Sequence, residues 1–171
     1  MNTKDEASAV LKKGTVSATR PGFARVRLPD FDNLRTMWLP VVYGKTQDDK
    51  ECWTPDIGEQ VAVLLDAAGE DGVIIGALYS DADAPPTQNK EVWIKRFKDG
   101  AVLEYNRETH ALTVTGVKAV TVHASGPVDV TAPEVTVTGN VTINGGLRVN
   151  GNINSSGSVI DSAGNTNHHR H

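Results

Sequence analysis

The chain comprises 171 residues, with 17 Lys and Arg against 21 Asp and Glu and a formal net charge of −4, so a polyanion meets no broad basic field and general nucleic-acid affinity is not expected. No apolar run reaches the ~18 residues of a membrane span and no charged-then-apolar leader is seen, so neither a membrane helix nor a secretory signal is expected, and synthesis is expected in the cytoplasm. The single Cys52 leaves no intramolecular disulfide to staple the fold, and without a neighbouring base it is expected as a packed thiol.

Residues 1–13 form an N-terminal segment of mixed charge and weak apolar pattern, expected to be frayed or a short helix. From Gly14 the signals change to short strands: Thr15–Ala18, Phe23–Leu28, Met37–Val42, Gln60–Leu65 and Gly72–Leu78. Between them lie turn formers such as Arg20-Pro21-Gly22, Asp56-Ile57-Gly58 and Ala68-Gly69-Glu70-Asp71-Gly72. Five closely spaced strands can bury both edges of their sheet only by closing on themselves, which predicts a Greek-key barrel of the OB type over residues 14–84. Its aromatic residues are expected mainly in the core. Pro85-Pro86 then marks a stiff exit, and residues 85–110 read as a linker and entry to the second half of the chain.

The palette changes near residue 110. All nine aromatic residues lie at or before Tyr105. From Leu112 onward the apolar residues come in pairs two apart, Leu112/Val114, Val120/Val122, Val128/Val130, Val135/Val137, Val141/Ile143 and Leu147/Val149, followed by Ile153 and Val159. A two-residue step puts both members on one face of a strand. Successive pairs are 8, 8, 7, 6, 6, 6 and 6 residues apart, a shortening period that predicts a tapering β-solenoid over residues 111–161. Corners fall at Ser125-Gly126-Pro127, Ala132-Pro133, Thr138-Gly139-Asn140, Asn144-Gly145-Gly146, Asn150-Gly151-Asn152 and Ser155-Ser156-Gly157.

A six-residue coil carries one short strand and a turn, too little to enclose a core. Three chains wound about a common axis, each supplying one face per layer, solve that problem, and a crowded axis explains the loss of aromatic rings. The fold class is therefore all-β, an N-terminal OB-type barrel followed by a tapering intertwined trimeric β-helix. The alternative is a hexapeptide solenoid closed within one chain, with three strands per turn; the early spacings break its register.

Residues 162–171 end in His168-His169-Arg170-His171. In an extended segment His169 and His171 share a side and Arg170 takes the other. In a trimer they would converge six imidazole nitrogens, a set suited to an octahedral Fe(II), with Ni or Co as competitors, whereas zinc prefers four ligands. A saturated shell leaves no open position, so such an ion would be structural. An expression-tag remnant or a disordered tail are the other readings of this segment, and Arg170 interrupts the run a tag would have. His110 and His123 have no spaced partners and are expected as surface or strand-face residues.

The run Trp53-Thr54-Pro55-Asp56-Ile57-Gly58-Glu59-Gln60-Val61-Ala62-Val63-Leu64, with Gly72-Val73-Ile74-Ile75-Gly76-Ala77-Leu78-Tyr79-Ser80, resembles the OB domain of the baseplate assembly protein V (spike) family. Phe97-Lys98-Asp99-Gly100-Ala101-Val102-Leu103-Glu104-Tyr105 is similar to the family's approach to its β-helix. These are the central spikes of contractile-tailed phages and R-type pyocins, similar in turn to the type VI secretion spike. The resemblance implies a homotrimeric needle at the tail tip or baseplate of a virion or pyocin particle, seated on a baseplate hub protein, which pierces the target cell's outer membrane mechanically. It implies no enzyme activity, no small-molecule substrate and no nucleic acid partner, with His169 and His171 as ligands of an apical iron.

Two rivals use the same residues differently. A polysaccharide-degrading tail enzyme could place carboxylates in a β-helix groove, where only Asp129, Glu134 and Asp161 are available and no aromatic ring stacks a sugar. An OB-type module could bind oligonucleotides through exposed aromatics, against the acid crowding of Asp48, Asp49, Glu51, Asp56 and Glu59.

Overall fold

Alternation of aliphatic and polar residues shapes the first sheet. The structure, a computed structural model, describes residues 9–160. The chain divides into two units, Met1–Val120 and Thr121–His171. Nine strands fall in the first: β1 Val10–Arg20, β2 Phe23–Leu28, β3 Leu34–Arg35, β4 Leu39–Pro40, β5 Gln60–Leu65, β6 Gly72–Ala77, β7 Val92–Arg96, β8 Val102–Asn106 and β9 Ala111–Thr115. No described residue lies in an α-helix, so the chain is all-β, as its sequence pattern implies.

The first six strands form one sheet in the order β3-β2-β1-β5-β6, with β4 also paired to β2. Antiparallel pairing runs from β2 through β1 and β5 to β6, and a parallel bridge between Val41 and Ile74 joins the stretch after β4 to β6. The pairings thus return to their start. Inside lie Val16, Ala24, Val26, Leu28, Leu39, Val61, Val63, Leu65 and Ile74, each at most 2% exposed. Fully burying such a side chain contributes on the order of 1.5–3 kcal/mol. Gly14 sits against this core because a Cβ there would collide with the Val26 side chain and the Arg27 carbonyl.

Three sequence expectations need correction here. Residues 10–13 are neither frayed nor helical, because Val10–Gly14 pairs with Leu65–Val61 across β5. Their alternation was concealed by Leu11, which points outward and is 63% exposed, and by Lys12, which faces the interior side. The Lys12 ammonium escapes along that side to Asp30 at 3.3 Å and to the Phe31 ring at 4.9 Å. The strand expected over 37–42 shrinks to Leu39–Pro40 plus the Val41 bridge, since Pro40 has no N–H to continue a ladder. The aromatics stay out of the core, which holds aliphatic side chains alone. The interior of the first sheet is filled by Val, Leu, Ile and Ala, and the aromatic rings lie outside that cluster.

The stretch read as linker and entry contains β7 and β8, which with β9 make a second antiparallel sheet in the order β7-β8-β9. Asp99 Oδ1 accepts from Ala101 N at 3.1 Å in the first turn, and Asn106 Oδ1 accepts from Glu108 N at 2.9 Å in the second. Trp53 packs edge-on against Phe97 at 5.2 Å between ring centroids, with Lys95 over its ring. Gly116 ends β9 at φ +70°, where a Cβ would lie 2.6 Å from the Gly100 carbonyl oxygen.

Beyond Thr115 no described residue lies in a strand. Irregular stretches are broken by bends at Ser125-Gly126, Pro133, Gly139, Asn144-Gly145, Asn150-Gly151 and Ser156-Gly157, each within a corner read from the sequence. Local contacts hold some of them: Ser155 Oγ donates to Gly157 O at 2.9 Å, and Arg148 Nε donates to Asn150 Oδ1 at 3.3 Å.

Candidate functional site

One feature recurs from Val120, the last residue of the first unit, through the second unit. Val120/Val122, Val128/Val130, Val135/Val137, Val141/Ile143, Leu147/Val149, Ile153 and Val159 are all exposed, from 45% at Val149 to 80% at Val159. A solenoid closed within one chain would bury these pairs. That alternative is therefore not what the single chain forms. Among the described residues, no backbone-to-backbone hydrogen bond reaches beyond Thr115. Among the described residues, the stretch combines peptide groups without backbone partners with periodic exposed aliphatic pairs.

His169 and His171 lie outside the described residues, as does Asp161. Among the described residues no group of three or more His, Cys, Asp or Glu is placed to hold a metal ion. Asp129 and Glu134 are exposed on the second unit. His110 occupies the β8–β9 turn at φ 58°, and both it and His123 are exposed as expected. Cys52 is exposed, not packed, with Sγ 3.9 Å from Thr54 Oγ1. The cause is local. Pro55 turns inward and is buried, and the half-buried Thr54 accepts from Gly22 N at 3.0 Å, leaving Cys52 on the outside of the loop.

The outer aromatics carry cations from their own chain. The Arg20 guanidinium lies 4.7 Å from the Phe23 ring and 4.6 Å from the Trp38 ring, and that of Arg25 lies 5.3 Å from Trp38. Sequence reading missed these contacts because they join residues across strands and turns. The only signal was the density of arginine around Phe23.

Two antiparallel sheets followed by an aliphatic repeat that is exposed throughout its described residues define an all-β protein. No family model matches the chain. It is similar to the spike protein of Escherichia phage P2, with 33% identity over 129 residues, 75% of this chain and 61% of that protein. That similarity supports a phage baseplate spike family, and the chain spans 61% of the length of the relative it matches.

Proposed function

We propose that this chain is the tail-tip spike of a contractile injection particle, phage or R-type pyocin, and that it works as a homotrimer which pierces the target outer membrane mechanically. The carrying observation is the exposure of every Val, Ile and Leu of the repeat in the single chain. Two further copies supply the missing faces: aliphatic pairs meet at the axis, and peptide groups pair between chains. The first unit is read as an OB-type barrel, supported by pairings that return to their start, and it would seat the spike on a baseplate hub. Sheath contraction supplies force, and a continuous hydrogen-bonded ladder supplies stiffness. The role is structural and not enzymatic, in keeping with the name of the phage P2 relative.

The donor chemistry at the C-terminus fits an apical ion. His169 and His171 offer two imidazoles per chain at alternate positions, and three chains supply the six nitrogens an octahedral Fe(II) takes. When bound, such an ion would supply a structural cross-link among the three ends. Light scattering of the purified protein tests the reading. The expected mass is three times that of one chain, and a stable folded monomer would overturn it.

A further inference from the structure

We propose that the outer face of β1, β2 and β3 is a docking surface for an acidic protein surface, whose carboxylates four arginines engage. Arg25 and Arg27 alternate on β2 with the buried Ala24, Val26 and Leu28, so both point outward. Arg27 stands directly opposite Arg35 in the β2–β3 register. Arg20, at the end of β1, pairs with Phe23 and shares the Trp38 ring with Arg25. Half of the chain's eight arginines are gathered here.

No carboxylate answers them within the described residues. Ion pairs there are Lys12–Asp30, Lys45–Asp49, Lys90–Glu91 and Arg107–Glu91. Of the two acids nearest in sequence, Asp30 is committed to Lys12 and Asp32 in the β2–β3 turn joins none of these ion pairs. Arg25 Nε is buried without a hydrogen-bond partner. The Arg35 side chain is oriented by donation from Nε to Ser17 Oγ at 3.0 Å, which leaves its terminal nitrogens to an outside acceptor.

Like charges directly opposite on a sheet destabilise the pairing. The Arg27/Arg35 pair is thus unfavourable until an anion sits between, and a carboxylate answers the guanidinium fork in bidentate fashion. Stacked nucleobases are a poorer match, because Phe23 and Trp38 already hold the Arg20 and Arg25 guanidiniums and because the chain carries a net −4. The committed occupant is therefore a protein surface bearing clustered Asp or Glu.

The test uses the full chain with an oligoglutamate peptide and an oligothymidylate of equal charge as probes at low salt. The peptide is expected to bind, and Arg27→Ala with Arg35→Ala to weaken it about tenfold or more. Both side chains are exposed, so the core is untouched, and circular dichroism checks the fold. Arg27→Lys with Arg35→Lys keeps the charge and is expected to recover only part of the binding, because the fork is lost. Absent peptide binding, binding indifferent to the alanine pair, or tighter binding of the oligothymidylate would each overturn the proposal. So would a fall in the assembly's mass on the alanine substitutions, since the face would then lie between copies of this chain. A monomeric wild-type mass would bear on the spike reading alone.

Discussion

Thr36 closes a gap in the first sheet that no strand residue fills. β3 ends at Arg35, yet Thr36 N donates to Val26 O at 2.9 Å, and its Oγ1 accepts from Val26 N at 3.0 Å while donating to Met37 O at 2.8 Å. The side chain completes the ladder on β2 where the backbone turns away, and it is 4% exposed. Thr36→Val keeps the shape but leaves the Val26 N–H unsatisfied in the interior. It should cost about 1–3 kcal/mol and lower the melting temperature by several degrees, whereas Thr36→Ser should retain most of the stability. Thermal unfolding of the two variants checks this, and equal melting points would contradict it.

At the scale of elements, the two units differ in what they bury. The first sheet buries its own aliphatic residues, whereas the repeat beyond Thr115 exposes all of its pairs. Charges placed on one pair should therefore separate assembly from folding. Val135→Asp with Val137→Asp would place three pairs of carboxylates on the proposed axis, where desolvation opposes them. The expected outcome is loss of the trimer in light scattering with the thermal transition of the first unit retained. A trimer that survives both substitutions would rule out an axis lined by these pairs.

At the scale of the whole molecule, the proposed apical ion and the proposed shaft would make separable contributions. The ion would tie three ends, but the ladder of aliphatic pairs extends over most of the second unit. His169→Ala with His171→Ala, or treatment with a strong chelator, should take the metal content by elemental analysis from about one per three chains to near zero, with six nitrogens the natural complement of one ion. The mass in solution should stay that of a trimer. Dissociation on metal loss would mean that the ends, and not the rungs, hold the chains together.

Local chemistry made much of this molecule readable in advance. The bounds of β2 and β5, Phe23–Leu28 and Gln60–Leu65, follow from alternation between turn residues, and the bends of the second unit fall at corners marked by Gly, Pro, Ser and Asn. Each depends on neighbours in sequence, whose faces and allowed dihedrals are set before any long-range contact forms. Other features answer to partners far along the chain. Val10–Lys13 becomes strand only because β5 lies beside it, against a pattern spoiled by Leu11 and Lys12. The aromatics lie outside because side chains from distant strands, all Val, Leu, Ile or Ala, converge to fill the interior. Arg27 meets Arg35, and Arg20 meets Trp38, through strand register and turn geometry, which decide what stands opposite what and cannot be counted along a sequence.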